Sequence, residues 1–394
     1  MRTVGVEEEL LLVSSGSGQA VSVAPRVLRR ADLVEQGRAD DARPGPGGPS
    51  TDAGSSLDGE LQRQQLETDT APHRSMERLG AEIVAWRAHA EAAARREGAR
   101  VAALGTSPLP VEPRAGRSER YREIVDRFGL IGSEQLTCGC HVHVGVESDD
   151  EAVAVLDRVR VWLPTLLALS ANSPYWQGRD SGYASYRAQV MGRWPTAGPP
   201  DAFGSVTAYR RRVEDLLASG VVMDEGMIYL DARPSATYPT LEIRVADVCQ
   251  DPADAVLLAA LGRALVETAA REWHAGRPAP DTPTAILRLA TWQASRYGLR
   301  ADLLDPATGR PRPADHVLAT LLDHVRPALA DHADLDLVTA GLARLADAGN
   351  GAERQRRELE RTGSLADVVA AAVRTTHGLE DAAVGGTTTE GTRP

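Results

Sequence analysis

The chain has 394 residues, of which 42% are apolar and only 4% aromatic, and its 55 acidic and 44 basic side chains leave a formal net charge of −11. A length above the roughly 250–300 residues at which one core stops growing predicts a large two-layer domain or two tightly joined lobes, with a core built on Leu, Val and Ala. The acidic balance argues against a general nucleic-acid binder, which needs a basic footprint, and no apolar run approaches the ~20 residues of a membrane span.

In chain order, "RTVGVEEELLLV" reads as a strand. Its three glutamates are unlike a signal peptide, and a cytoplasmic setting is expected. The segment Ala42–Gly59, rich in Gly, Pro and Ser, is predicted to be a flexible surface loop. "ELQRQQLET" follows as a strand. A long helix then covers "PHRSMERLGAEIVAWRAHAEAAARREG", with Leu79, Ile83, Trp86 and Ala90 on one stripe. "ARVAALGTSP" is a short buried strand closed by Pro108, and "HVHVGV" is another strand. The helix in "DEAVAVLDRVRVWLPTLLALSAN" should break or kink near Pro164. "NSPYWQGRDSGYASYRAQVMGRWPTAGPP" has no period and is too long for a simple connector, which marks it as a binding or moving loop. "GMIYLDARPS" and "TLEIRVAD" read as two more strands. Asp251 then caps an apolar helix with Pro252 at its first position. Residues 282–376 read as amphipathic helices, and the tail 385–394 is expected to be disordered. Strands interleaved with helices but without a regular βαβ series, closed by a helical C-terminal block, predict an α+β fold with a mostly antiparallel sheet.

Side chains alternate across a strand, so residues i and i+2 share a face about 7 Å apart. On that rule Glu7 and Glu9 share a face, as do His141 and His143, then Tyr229, Asp231 and Arg233, and finally Glu242 and Arg244. The opposite faces are oily: Ile228 and Leu230, for example, or Leu241, Ile243 and Val245. Glu8 falls on the oily side. Each pair alone has an ordinary explanation in a solvated strand face, a core histidine or a cross-strand ion pair. Four such strands in one chain predict a polar wall, and a partly covered polar wall is a cleft. Carboxylates with imidazole and no paired thiols suit Mg²⁺ or Mn²⁺. All 44 basic residues are arginine, which excludes a Schiff-base lysine and a phosphate-loop lysine. Cys138, Cys140 and Cys249 form no CxxC, so neither a disulfide framework nor a zinc knuckle is expected. A zinc-dependent hydrolase using His141-x-His143 stands as an alternative to such a magnesium cleft.

"GVEEELLLV", "QLETDTAP", "GCHVHVGV", "LSANSPYWQGRDSGYASYRAQVMGRWPTAGPP", "IYLDARPS" and "TLEIRVADVCQDP" together resemble the glutamate–cysteine ligases of the bacterial type 2 branch, in the order that branch shows. The resemblance covers roughly Val4–Trp273. It implies a single catalytic domain over 1–384 like that of glutamine synthetase, a curved antiparallel sheet whose concave polar face holds ATP and metal. The implied chemistry is an ATP- and Mg²⁺-dependent ligation. ATP phosphorylates a carboxylate, glutamate or another acid, and an amine such as cysteine displaces the phosphate. Carried over by position, Glu7, Glu9, Glu67, His141 and Glu242 would hold metal, and His141, His143 and Arg233 would contact nucleotide. Arg244 would face the transferring phosphoryl group, and Arg187 would hold the substrate carboxylate. Small-molecule substrates are expected, with a homo-oligomer left open, and a non-catalytic nucleotide-binding protein that keeps the implied cleft is the alternative to a ligase.

Overall fold

The computed structural model describes residues 1–35 and 56–378. The first strand, β1 (Val4–Ser14), leads to helix α1 (Ala24–Glu35), and the chain returns as β2 (Ser56–Gly59) and β3 (Gln65–Asp69). Helix α2 (Met76–Arg95), β4 (Ala99–Ala102), α3 (Glu119–Phe128) and α4 (Leu130–Glu134) precede the histidine strand β5 (Gly139–Gly145). Then come α5 (Asp149–Val159), α6 (Leu163–Ser170), the small hairpin β6 (Tyr175–Trp176) and β7 (Arg179–Asp180), α7 (Tyr186–Met191) and α8 (Val206–Ala218). Strands β8 (Ala232–Pro234) and β9 (Thr240–Asp247) complete the main sheet, and α9 (Pro252–His274) backs it. The C-terminal part holds α10 (Thr284–Tyr297), a hairpin of β10 (Leu303–Leu304) and β11 (Pro311–Arg312), then α11 (Ala314–His332), α12 (Leu335–Ala348), α13 (Gly351–Thr362) and α14 (Leu365–Thr376).

The main sheet runs β2-β3-β1-β5-β9-β8, with β4 also on β1, and every pairing is antiparallel. One edge of β1 is shared. Val4–Glu8 pair with β5, and Leu11–Ser14 pair with β4. The sheet therefore forks at Glu9, and β1 changes character there. Before the fork it alternates as predicted; beyond it, Leu10–Val13 are all buried, because α14 and the segment after Ser14 cover the second face.

The oily face carries Val4, Val6, Val142, Val144, Leu241 and Ile243 against Leu79 and Ile83 of α2, Val155 and Leu156 of α5, and the Ala- and Leu-rich face of α9. Each fully buried Val, Leu or Ile contributes about 1.5–3 kcal/mol. Helix α9 lies close because Gly262 faces the sheet: a Cβ there would meet Ile243 Cδ1 and Val142 Cγ1 at 3.3 Å. Asp251 caps this helix as expected, accepting from Ala253 N at 2.8 Å. The break between α5 and α6 also falls where Pro164 predicts it, since proline has no N–H to continue the helix but is tolerated in the first turn of the next one, where it is the second residue of α6.

Two readings need correction. Ser56–Gly59, assigned to the flexible loop Ala42–Gly59, form edge strand β2, with Leu57 opposite Thr68 and Asp58 opposite Glu67. The part of that loop before Ser56, and the tail 385–394, lie outside the described residues. The strand expected over "GMIYLDARPS" is limited to Ala232–Pro234, after a 3₁₀ turn at Glu225–Met227. Its upstream backbone is engaged elsewhere: Tyr229 N donates to Thr196 Oγ1 at 3.1 Å, and Asp231 N to Gly198 O at 2.9 Å.

Candidate active site

Antiparallel register places directly opposed residues on one face. Three rows of ionisable groups therefore cross the polar face. Asp58, Glu67 and Glu9 form one; Asp69, Glu7 and His141 the next; His143, Glu242 and Arg233 the third. At the end of the second row β9 carries a bulge, in which Arg244 and Val245 together stand opposite His141. The bulge shifts the alternation by one residue. Asp247, which strict alternation puts on the oily side, comes to pair with Gly139 instead.

Glu7 binds both imidazoles. Its Oε2 is 3.0 Å from His141 Nδ1, and its Oε1 is 2.7 Å from His143 Nε2. Burial alone would raise the Glu7 pKa, but the two histidines outweigh it and hold the carboxyl far below its usual range. The histidines respond in opposite senses. Burial and Arg244 lower His141, whereas Glu7 and Glu242 raise His143 despite burial. His143 Nδ1 is also oriented, 3.0 Å from Thr240 Oγ1. Glu242 accepts from Arg233 Nε at 2.8 Å and from Arg244. Although burial pushes it up, the two guanidiniums bring it down to about 2.

The other flank lacks such compensation. Glu67 sits among Glu60, Glu9, Glu7 and Asp69, and burial plus these charges push its carboxyl well above the ordinary value. Asp69 is pushed up to about 6 by burial and Glu7. Glu9 and Glu60 are raised as well, chiefly by burial, although Gly139 N donates to Glu9 Oε2 at 2.6 Å. Among the described residues, three sets of donor atoms each lie within 4.8 Å of one another: Glu7, His141 and Glu242; Glu7, Glu67 and Asp69; Glu9, Glu60 and Glu67. Half-buried carboxylates crowded this closely are eased by a cation or by protons. Their oxygen-rich donor set fits magnesium or manganese.

Two cavities flank the rows. One, of about 410 Å³, is lined by Glu9, Glu60, His141, Arg187, Asp231 and Arg244 among others. The second, of about 270 Å³, is lined by Glu7, His143, Arg233, Glu242, Tyr209 and Tyr238 among others, and it too reaches Arg244. Arg233 contacts Glu242 and also donates Nη1 to the carbonyls of Glu225 and Ile228 at 3.0 and 2.9 Å, so it braces the second cavity.

The long aperiodic segment after α6 brings Arg187 to the first cavity. Buried Asp247 fastens it, accepting from Asn172 N at 2.9 Å, Ser173 Oγ at 2.7 Å and Ser185 Oγ at 2.8 Å. Ser185 then caps α7, whose second residue is Arg187. The Arg187 guanidinium lies over Gly139, where a Cβ would come within 2.3 Å of Nη2, and it donates to Val245 O at 3.3 Å. The expected site residues Glu7, Glu9, Glu67, His141, His143, Arg233, Glu242 and Arg244 thus share one face, and Arg187 reaches it from α7. The cavity linings and donor sets add Glu60 and Asp69, and the fastening of Arg187 adds Asp247, none of which the pattern singled out; Asp231 it placed on the polar face, but the resemblance gave it no role. Asp69, two residues past Glu67 in "LETD", carried a readable signal; Asp247 was hidden by the bulge. All three cysteines are buried, and burial pushes their thiols up, so none offers a thiolate.

The family model "Glutamate-cysteine ligase family 2(GCS2)" matches residues 3–371. A Streptomyces avermitilis protein named "Putative glutamate--cysteine ligase 2-1" is 53% identical over 378 residues, covering 96% of this chain and all of the relative. The Streptomyces coelicolor "Putative glutamate--cysteine ligase 2" is 53% identical, covering 95% of this chain and 99% of its own. The crystal structure of a Francisella tularensis glutamate–cysteine ligase in complex with AMP shares the fold at a TM-score of 0.64 and 15% identity, over 96% of this chain and 89% of that one. The chain belongs to glutamate–cysteine ligase family 2 and is an ATP-dependent carbon–nitrogen ligase of that type.

Proposed function

We propose that this ligase joins a carboxylic acid, glutamate or a close analogue, to an amine such as cysteine through an acyl-phosphate intermediate, with Mg²⁺ or Mn²⁺ bound among its carboxylates. The observation that carries this reading is the placement of three carboxylate-rich donor sets between two cavities that both reach Arg244. Glu7, His141 and Glu242 would hold one ion, and Glu9, Glu60, Glu67 and Asp69 the rest. Bound metal would neutralise phosphate oxygens during transfer.

The smaller cavity, with His143, Arg233 and the rings of Tyr209 and Tyr238, suits the nucleotide. The larger, with Arg187, suits the acid. Arg244, held by Glu242, presents fixed donors where charge develops on the transferring group, and a preorganised donor of this kind is worth ~10²–10³ in rate. Arg187 presents a planar fork that matches a carboxylate. A zinc hydrolase built on His141-x-His143 is disfavoured, because only His141 enters a donor set among the described residues and both rings are engaged by Glu7.

Incubation with ATP, Mg²⁺, glutamate and cysteine should release ADP and phosphate, and Glu242→Gln should abolish that release without unfolding the chain. Release of AMP and pyrophosphate would mean adenylation and refute the acyl-phosphate route.

A further inference from the structure

The amine also needs a place. Among the described residues, Arg187 Nε, Asp231 Oδ2 and Thr291 Oγ1 are buried atoms without a hydrogen-bond partner, and all three residues line the 410 Å³ cavity. Buried polar atoms are rarely left unpaired, so three orphans on one cavity point to a ligand that supplies the missing partners. Asp231 is the one among them that can carry a negative charge to meet a cation, and the Thr291 hydroxyl can accept beside it.

Its backbone fixes it in place. The N–H donates to Gly198 O at 2.9 Å, and the carbonyl accepts from Arg244 N at 2.9 Å. Asp231 is therefore the cross-strand neighbour of Arg244, with side chains ~5 Å apart at their base. The Arg244 guanidinium is committed to Glu242, and Asp231 forms no ion pair among the described residues. The charged groups facing it are Arg187 of α7, Arg288 of α10 and Arg244 of β9. Burial pushes the carboxyl up to about 7, against the pull of Arg187 and Arg288.

We propose that Asp231 binds the ammonium group of the amine substrate and takes its proton. This rests on the ligase reading above. The R–NH₃⁺ group donates to Asp231 Oδ2, with Thr291 Oγ1 as a second acceptor, and passes one proton to the carboxylate. The freed lone pair attacks the acyl carbon. The C–N bond forms while the C–O bond to the phosphoryl group breaks, and phosphate leaves with that electron pair. The second nitrogen proton goes to the phosphate, and Asp231 returns its own to water. Arg244, one position across the sheet, keeps the acyl phosphate within reach of this nitrogen.

Hydroxylamine tests the assignment, because it is uncharged at neutral pH and needs no base. Wild type and Asp231→Asn are assayed for ADP release with ATP, Mg²⁺ and glutamate, using cysteine or hydroxylamine as acceptor. The expected result is a ~10²–10⁴-fold loss with cysteine in the variant and near-wild-type turnover with hydroxylamine. Retained cysteine turnover, or equal loss with both acceptors, would overturn the role of Asp231. A wild-type enzyme inactive with both acceptors would instead overturn the ligase reading, and this inference with it.

Discussion

Replacing Arg87 by Met should destabilise the fold severely without touching the active site. Arg87 and Glu8 are each 1% exposed, and they form a bidentate pair with Nε–Oε2 at 2.8 Å and Nη2–Oε1 at 2.6 Å. The guanidinium also donates to the carbonyls of Gln250 at 2.7 Å, Thr376 at 3.2 Å and Cys249 at 2.7 Å. One side chain of α2 therefore ties β1 to the turn before α9 and to the last helix. Removing one partner of a buried pair costs about 3–5 kcal/mol, and each orphaned carbonyl adds to that. Against a total stability of roughly 5–15 kcal/mol, a loss of about 4 kcal/mol or more is large. Glu8→Gln combined with Arg87→Met removes the uncompensated charge and should recover about 1–3 kcal/mol of the loss. Guanidinium unfolding followed by tryptophan fluorescence reads both. A single variant within about 1 kcal/mol of wild type, or a double variant no better than the single one, would refute the reasoning.

Glu91, 7% exposed, illustrates pH linkage away from the site. Burial opposes its ionisation, but His377, Arg95, the Val101 N–H and Arg100 bring it from 4.5 to about 2. A depressed carboxylate stabilises above its unfolded value and loses that contribution as pH falls through the folded one. Glu91→Gln should therefore cost on the order of 3 kcal/mol at neutral pH, with the gap to wild type closing between pH 4.5 and 2 in acid-unfolding curves. Gly139→Ala places a Cβ 2.3 Å from Arg187 Nη2 and should raise KM for the acid at least ~10-fold with a smaller fall in kcat; unchanged kinetics would remove Arg187 from the acid pocket. Glu67→Gln relieves the crowding of Glu60, Glu9 and Asp69, so the metal-free Tm should rise by a few degrees while the rise caused by Mg²⁺ shrinks, as differential scanning fluorimetry would show.

Alternation made most of the polar wall readable, because Glu7 with Glu9, His141 with His143, and Glu242 with Arg244 needed only a period of two. Two carboxylates on the oily parity were the harder cases. Glu8 stays on that side and is neutralised by Arg87, which is 79 residues away in sequence. Asp247 is turned back by a bulge that no local pattern announces. Asp58 was obscured by the breaker-rich stretch around it, where composition suggested a loop but pairing with β3 makes a strand; Glu60, read as the start of the next strand, lies instead in the connection between β2 and β3. Arg187 was nameable from the resemblance; its position depends on Asp247 holding a segment more than 60 residues upstream.

The convergence of carboxylates on divalent ions is tested most directly by counting bound Mn²⁺ with electron paramagnetic resonance in the presence of ATP. More than one ion per chain should bind, and Glu7→Gln and Glu242→Gln should each lower the count, since both residues belong to the set around His141. Wild-type protein that takes up no Mn²⁺, or variants that bind it as wild type does, would contradict the shared ion cluster.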